Sequence, residues 1–281
     1  MKKNSLVVVV AVLLITFLSA NLPAAENVIK LNGPEKFIEL IEKNSDKFGL
    51  TLFEKQKAID TWKIMLTATK NSERKIPLWQ KFDPKSTALV VVDMQNAFIE
   101  EGAPIEIAKG RGIVDNINML AEAVRKGGGK VIWIQYSIEN DNGFLERFEL
   151  KSYLGPGRVS PAKACTPGHP LFEIYPKLKV AAEDILLRKN RYGTLFSTLK
   201  PSLVEILNKR EIKNVIVTGV STDVCAGGTA EGLAQTGFNV SVAWDGTAAL
   251  DRLIGHEGYL ARFWLLYGEV LTSQQIIELL K

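Results

Sequence analysis

The amino-acid sequence predicts an α/β protein of three layers, in which helices cover both faces of a six-stranded, mainly parallel, Rossmann-like sheet. From Thr87 to the C-terminus, short apolar runs alternate with helical patterns. Strands that are joined by helical crossovers lie parallel in one sheet. The composition, 46% hydrophobic and 23% charged over 281 residues, supplies enough apolar material for one large core.

Residues 1–25 have the pattern of a secretory signal peptide. Lys2 and Lys3 precede an uncharged apolar run over residues 6–18, and small residues suited to cleavage follow at 23–25. The run is shorter than a membrane-spanning helix usually needs, and an uncleaved N-terminal anchor is the alternative. We therefore expect a periplasmic or secreted protein with no stable membrane span after signal removal.

The charge of the chain without its signal peptide is close to neutral. Loss of residues 1–25 removes two lysines and no acids, so 33 basic and 31 acidic residues remain, a formal charge of +2. Nothing in this balance favours binding to a polyanion. We therefore expect a small-molecule substrate and no nucleic-acid partner.

Residues 26–85 are predicted to form an N-terminal helical arm. The apolar spacing over residues 34–43 indicates a short amphipathic helix, and residues 50–68 are suited to a second one. Residues 71–77 are polar and typical of a connector. Because no cluster here resembles a reactive site, we expect the arm to pack on the main domain or on a second subunit.

Residues 86–281 are predicted to form the main domain. Its strands are Thr87–Asp93, Lys130–Tyr136, Asp184–Arg188, a run from Val215, Phe238–Trp244 and Glu269–Leu271. Its helices are Ile113–Lys126, Pro201–Lys209, Ala226–Thr236, Ile254–Leu266 and Ser273–Leu280. The segment 137–183 contains five prolines and little pattern, which is typical of a functional loop.

Cys225 is a candidate nucleophile because it lies in the first turn of a predicted helix. Helix N-termini carry partial positive charge and unpaired N–H groups, which favour a thiolate and can hold an oxyanion. A buried structural cysteine is the alternative reading. In an exported protein Cys165 and Cys225 could form a disulfide, but such a bridge would block the nucleophile. We therefore expect both thiols to be free in the active form, with a reversible bridge as the less favoured alternative.

Asp93 and Lys189 lie at predicted strand ends, as Cys225 does. In open parallel sheets, ligands bind beyond the carboxyl ends of the strands. A carboxylate there can accept the proton of a thiol, and an ammonium group favours negative charge nearby. The alternative roles are capping for Asp93 and a solvated surface charge for Lys189.

Three ordered motifs resemble the isochorismatase-like cysteine hydrolase family, which also contains nicotinamidases, carbamoylsarcosine amidohydrolases and ureide-cleaving enzymes. The motifs are Val-Val-Asp93-Met-Gln-Asn-Ala-Phe98, Arg188-Lys189-Asn-Arg-Tyr-Gly-Thr-Leu-Phe196 and Val217-Thr-Gly-Val-Ser-Thr-Asp-Val-Cys225. The resemblance implies that Asp93, Lys189 and Cys225 form a catalytic triad. It also implies a cis peptide bond between Val220 and Ser221, with the Ser221 and Cys225 N–H groups aimed at an oxyanion.

Departures from the family pattern bear on the substrate. Ala97 stands where the motif often has Asp, which affects the polarity of the pocket. Nicotinamidases that bind metal carry histidines shortly after the first Asp, whereas this chain has only His169 and His256. We therefore expect no metal and no other cofactor. Members that hydrolyse the vinyl ether isochorismate commonly lack the cysteine, so its presence favours an amide, ureide or carbamoyl substrate over an ether.

Two other functions are compatible with the residues. Gly219-Val-Ser221-Thr-Asp223 approximates the nucleophile motif of serine esterases, and Asp245 and His256 follow in suitable order, but the motif's last glycine is missing. An exported small-molecule binding protein without turnover is the other alternative.

The pocket and the assembly are less sharply defined by the sequence. Asn96, Phe98, Tyr136 and Tyr192 lie next to predicted strand ends and are candidates for substrate binding, although aromatic residues at such positions often belong to the core. Members of the family are commonly oligomeric, so the resemblance implies a homo-oligomer, with the arm or the long loop at the interface.

Overall fold

The computed structural model describes residues 34–46, 50–69, 83–147, 159–250 and 253–281. The predicted signal peptide and the predicted connector lie outside these ranges. Among the helices that the structure describes, none combines the length and the apolar character needed to cross a membrane.

Six strands form one sheet in which every neighbouring pair is parallel. The order across the sheet is β3-β2-β1-β4-β5-β6. The strands are β1 (Thr87–Val92), β2 (Lys130–Tyr136), β3 (Ile185–Lys189), β4 (Asn214–Val220), β5 (Asn239–Ala248) and β6 (Glu269–Leu271). The predicted fold class is confirmed, since short apolar runs do form parallel strands connected through helices.

Helices cover both faces of the sheet. They are α1 (Pro34–Asn44), α2 (Leu52–Thr69), α3 (Asn96–Ile99), α4 (Val114–Lys126), α5 (Phe144–Arg147), α6 (Pro161–Ala164), α7 (Leu203–Lys209), α8 (Cys225–Gln235), α9 (Tyr259–Leu266) and α10 (Ser273–Leu279). Alternate residues of β1 face opposite layers: Leu89 and Val91 pack in a core with α4 and α10, whereas Val90 and Val92 pack in a core with α7, α8 and α9. This alternation follows from the two-residue period of a strand.

The two N-terminal helices pack into the second of these cores. Phe37 of α1 stacks on Trp62 of α2 with ring centroids 4.5 Å apart, and it lies 5.8 Å from Trp244 of β5. The described residues between 34 and 281 accordingly belong to one compact unit. The helices α1 and α2, which are the described part of the predicted arm, thus pack on the main domain.

Several predicted elements differ from those observed, among them the fifth strand, which the sequence predicts to end at Trp244 and which continues to Ala248. Lys189 is the last residue of β3 instead of the first residue after it, because the strand begins and ends one position later. The helix predicted over 254–266 is regular only from Tyr259, and residues 253–258 form a π-helical turn. In that turn His256 and Glu257 make buried side-chain contacts, which hydrophobic periodicity does not report.

The described part of the long loop lies beside the end of β1. The fully buried side chain of Gln95 donates from Nε2 to the carbonyl oxygen of Phe172 at 2.8 Å. Its Oε1 accepts a hydrogen bond from the Tyr136 N–H at 2.6 Å. The main-chain N–H of Asn96 donates to the Glu173 carbonyl at 2.9 Å. These bonds tie the loop to the edge of the sheet where the candidate residues lie.

Candidate active site

The ends of β1 and β4 approach each other closely because Gly219 has no side chain. A Cβ atom at this position would lie 2.1 Å from the carbonyl oxygen of Val92, and the φ angle of Gly219 is +99°. Both observations require glycine. Asp93, directly after β1, has a φ of +53°, which turns it out of the strand direction. The contact places Asp93 beside the segment that leads to Cys225.

Lys189 and Asp93 form a buried ion pair. Lys189 Nζ lies 2.7 Å from Asp93 Oδ2, and the side chains are 0% and 1% exposed. β2 lies between β3, which carries Lys189, and β1. The side chain of Lys189 must therefore reach toward a strand that is two strand spacings away, about 10 Å. Its ammonium group lies 4.5 Å from the ring centroid of Tyr136. Its remaining contacts include a hydrogen bond to the Arg191 carbonyl at 3.1 Å. A long cationic side chain is therefore needed at this edge strand.

Cys225 completes the cluster as the first residue of α8, and it is 7% exposed. Asp93 and Lys189 both act on the pKa of its thiol, which places the two side chains beside the sulfur. The structure therefore brings together the three residues proposed as a triad.

The backbone before Cys225 supplies candidate donors for an oxyanion. The peptide bond between Val220 and Ser221 is cis. Within the described ranges, no protein acceptor is found for the N–H groups of Ser221 and Cys225. Both groups are thus available to a ligand.

Burial dominates the proton affinities of the cluster. It raises the pKa of Asp93, and this effect outweighs the opposing charge of Lys189. Burial likewise raises the pKa of the Cys225 thiol, with Lys189 acting against the shift and Asp93 adding to it. For Lys189, burial lowers the pKa, but the negative charges of Asp93 and Cys225 outweigh burial and the net shift is upward.

The thiol therefore keeps its proton in the resting site. The sequence argument from the helix N-terminus, which favours a thiolate, does not allow for the desolvation of a side chain that is almost wholly buried. The Asp93 carboxylate, adjacent to the thiol, is the group that can take up the proton when the sulfur reacts.

The isochorismatase domain family matches residues 87–275. The chain belongs to this family. Relatives in this family are named as hydrolases, and the present chain is a hydrolase. Residues 34–69, which carry α1 and α2, lie outside the matched region.

Relatives of known name cover most of the isochorismatase domain. The ureidoacrylate amidohydrolase RutB of Klebsiella pneumoniae is 31% identical over 161 residues, which are 53% of this chain and 67% of RutB. A probable inactive nicotinamidase of Arabidopsis thaliana is 33% identical over 167 residues, 59% of this chain and 82% of the relative. The crystal structure of a cysteine hydrolase from Pseudomonas syringae superposes with a TM-score of 0.63 at 22% identity, covering 71% of this chain and 94% of that one. This last likeness shows the fold.

Of the four candidates for substrate binding, the structure places two, Tyr136 and Tyr192, near the cluster of Asp93, Lys189 and Cys225. The side chain of Tyr136 is 1% exposed, and its hydroxyl has no hydrogen-bond partner among the described residues. The Tyr192 ring lies 6.3 Å from the Tyr136 ring. Burial raises the pKa of both phenols, and the negative charge that Cys225 carries when it is ionised adds to both shifts, so both phenols lie near the sulfur.

The other two candidates have structural contacts. Phe98 is buried in the apolar core beneath α4. The amide of Asn96 donates to the carbonyl oxygen of Pro170 at 3.1 Å and so helps to hold the long loop. Sequence reasoning missed Gln95, which makes the bonds between the loop and Tyr136. Its position two residues after Asp93, within a quoted motif, was the available signal.

The serine-esterase alternative does not fit this site. The Ser221 hydroxyl donates to Asp223 at 2.6 Å, whereas His256 Nδ1 lies 2.9 Å from the Thr222 hydroxyl. Asp245 accepts hydrogen bonds from the N–H and hydroxyl groups of Ser273. These contacts pair the three residues with other groups, so no Ser-His-Asp chain is formed.

The part of the chain that the structure describes contains no group of three or more His, Cys, Asp or Glu side chains arranged to hold a metal ion. His169 accepts a hydrogen bond from the Leu171 N–H at 3.1 Å, within the long loop. That the reaction needs no metal remains a prediction.

Proposed function

We propose that the protein is a cysteine amidohydrolase that cleaves a C–N bond of a small amide, ureide or carbamoyl compound. The observation that carries this proposal is the buried thiol of Cys225 beside the buried ion pair of Asp93 and Lys189, both of which act on the pKa of the thiol. The relative RutB, which is named for an amidohydrolase reaction on ureidoacrylate, supports the ureide part of the substrate class.

In the first half of the reaction, Cys225 Sγ attacks the carbonyl carbon while its proton passes to the Asp93 carboxylate. The carbonyl oxygen becomes an oxyanion, which accepts hydrogen bonds from the Ser221 and Cys225 N–H groups. One such donor typically contributes ~100- to 1000-fold to the rate. The C–N bond then breaks, the leaving nitrogen takes the proton from Asp93, and a thioester remains.

In the second half, water attacks the thioester carbon and gives a proton to Asp93. The C–S bond breaks, the acid leaves, and the proton returns to Cys225. Lys189 stabilises the ionised form of Asp93 between these transfers. Asp93 can serve in both halves because its raised pKa brings it nearer to the pH at which a general base works best.

The experiment is a panel of small amides, ureides and carbamoyl compounds with ammonia detection. We expect Cys225→Ala to abolish turnover, and Cys165→Ser, at the other buried cysteine, to preserve it. Rapid acid quenching followed by mass spectrometry of the whole protein should reveal an acyl adduct on Cys225. Full activity of Cys225→Ala would overturn the mechanism, and activity on vinyl ethers alone would overturn the substrate class.

We also propose that turnover is independent of metal, since the residues after Asp93 supply no histidine ligands and a thiol is nucleophilic without one. Extensive dialysis against EDTA should leave the rate unchanged. Loss of activity that added zinc or iron restores would contradict this.

Export remains part of the proposal, on the strength of the pattern in residues 1–25. Expression in a Gram-negative host, followed by N-terminal sequencing of the periplasmic protein, tests it. A new N-terminus near residue 26 is expected, and an intact N-terminus in the cytoplasmic fraction would contradict it.

A homo-oligomer is proposed through α2, which exposes three apolar side chains: Leu52 is 87%, Phe53 64% and Ile64 67% exposed. Such side chains on one helix favour a protein contact. Light scattering of Leu52→Lys and Ile64→Lys variants should show a smaller assembly than the wild type. Removal of the whole arm is unsuitable as a test, because Trp62 is part of the core. A wild-type monomer would refute the proposal.

A further inference from the structure

Glu257, in the π-helical turn, connects the N-terminal helices to the sheet. Its Oε2 accepts a hydrogen bond from Trp62 Nε1 at 2.7 Å and another from Trp244 Nε1 at 3.0 Å. Each of the three residues is at most 1% exposed. Trp62 lies on α2, outside the region that matches the isochorismatase family. A buried acid in the family domain is thus bonded by a residue that the domain itself does not supply.

The preceding residue, His256, faces the catalytic loop. It is fully buried, and its Nδ1 lies 2.9 Å from the hydroxyl of the fully buried Thr222. Thr222 follows Ser221, whose N–H is a candidate oxyanion donor, and precedes Cys225 by three positions. The side chain bonded by His256 therefore sits inside the segment that forms the reactive centre.

The loop around Thr222 has little room to move. The N–H of Thr222 donates to the Ala248 carbonyl at 2.9 Å. Its carbonyl oxygen lies 2.4 Å from where a Cβ atom would stand on Gly227, one turn into the nucleophile helix. The hydroxyl of Tyr259, from the start of α9, donates to the Gly227 carbonyl at 2.9 Å. A shift of the π-helical turn would be passed to the loop, because tightly packed interiors transmit displacement.

The π-helical turn explains how two adjacent residues face two different elements. A π turn contains more residues than an α turn and often occurs where side chains have a functional task. Here Glu257 faces the N-terminal helices and His256 faces the loop of Thr222. The two contacts are consecutive in the chain, so fixing one side chain fixes the backbone that carries the other.

We propose that Trp62 is a positioning residue for the nucleophile and acts on the loop of Cys225 through Glu257, His256 and Thr222. In this view α2 supports the nucleophile through Trp62, although Trp62 does not touch the substrate. The inference rests on Cys225 as the nucleophile of the proposed function. It extends that proposal by giving the arm a role in the reaction.

The main test compares Trp62→Phe with Ile41→Ala in the full chain. The first variant removes an N–H donor and keeps an aromatic ring; the second removes apolar packing from the same arm and no hydrogen bond. For Trp62→Phe we expect kcat to fall about tenfold with KM within twofold, because the substrate contacts remain. Ile41→Ala should lower the melting temperature but leave kcat unchanged when assayed well below it.

A second readout needs no substrate and separates this inference from the proposed function. Iodoacetamide labelling of each cysteine is followed by mass spectrometry. A loosened loop should let Cys225 react at least threefold faster in Trp62→Phe, while Cys165, which is fully buried in the long loop and not in the loop of Thr222, stays protected. Faster labelling of both cysteines would indicate general loosening and would overturn the inference, as would unchanged labelling and unchanged kcat.

Thr222→Val provides a further test if Trp62→Phe does not fold. The change keeps the shape of the side chain and removes only the hydroxyl that meets His256. It should reproduce the fall in kcat and the selective labelling of Cys225. Normal kcat and labelling in Thr222→Val would overturn the inference.

Discussion

Asp93 and Glu257 are two fully buried acids that lie near the same loop and differ in what surrounds them. Asp93 is paired with the charged group of Lys189 and with the thiol of Cys225. Glu257 accepts hydrogen bonds from two neutral indole groups. The first environment contains groups that exchange protons, whereas the two hydrogen-bond donors described for Glu257 do not.

This difference suits Asp93 to proton transfer and Glu257 to holding the surrounding structure in place. A buried acid beside an ammonium and a thiol can gain or lose a proton while the total charge of the cluster is conserved, so little solvation energy changes during proton transfer. Indole N–H groups neither titrate nor move within a packed core. The environment of each acid, more than its burial, therefore determines its role.

The largest expected effect contrasts the two acids directly. Asp93→Asn removes the proton acceptor and should lower kcat by ~100- to 10,000-fold. Glu257→Gln keeps an acceptor for both indoles and should change kcat by less than about threefold. Steady-state kinetics on the same substrate measures both. Equal losses in the two variants would show that Asp93 has no special role.

The ion pair of Asp93 should also dominate stability. Lys189→Met leaves the carboxyl group unpaired in the core and should reduce the free energy of unfolding at neutral pH by about 3–5 kcal/mol. Without Lys189 the folded-state pKa of Asp93 lies far above its unfolded value, so the loss should shrink as the pH falls toward the unfolded value. Urea unfolding at several pH values measures this.

The matched control is Lys200→Met, which breaks an ion pair with Glu205 whose side chains are 70% and 53% exposed. Solvent screens such pairs, so its stability should hardly change. A similar loss in both lysine variants would mean that burial of the Asp93 pair is unimportant.

The pH dependence of the rate should report the protonation of Asp93. Because burial raises the pKa of Asp93, the acidic limb of kcat/KM should lie above the ordinary carboxyl value of about 4. Below that limb the base is protonated, and the rate should fall tenfold per pH unit. Asp93→Glu should move the limb. A limb below pH 4 in folded protein would contradict this assignment.

The smallest effect concerns the hydroxyl of Tyr136, which is buried beside the cluster without a protein partner in the described structure. Burial keeps it protonated and thus a donor, so we expect it to bond to the substrate. Tyr136→Phe should lower kcat/KM by about 3- to 10-fold, the value of one neutral hydrogen bond. Tyr267→Phe, at the opposite end of the sheet, should have no effect. Unchanged kinetics in Tyr136→Phe would contradict the expected hydrogen bond to the substrate.

The sequence predicted the charged cluster because each member follows a readable strand. Val90 to Val92 form an apolar run whose end marks Asp93, and the runs before Lys189 and Cys225 do the same. Fold logic then places strand ends together, and motif resemblance supplies the pairing. The thiol's proton affinity was not predicted, because it depends on the depth of burial.

The hydrogen bonds to Glu257 were not predicted, because no local sequence pattern indicates them. Trp62 and Glu257 are 195 residues apart in sequence. A tryptophan on an amphipathic helix is indistinguishable from an ordinary core residue, and its N–H partner is visible only in three dimensions. The apolar spacing over 254–266 predicts a regular helix, whereas buried polar contacts of His256 and Glu257 accompany the π turn.

The position of Lys189 on the edge strand has a kinetic consequence. β3 pairs only with β2, so the ammonium group can reach Asp93 only after β1, β2 and β3 have all assembled. Parallel pairings between distant segments form slowly in comparison with helices. During refolding we therefore expect the helical circular dichroism signal to return before turnover does. Enzyme activity should be proportional to the fraction of molecules in which β3 has paired with β2.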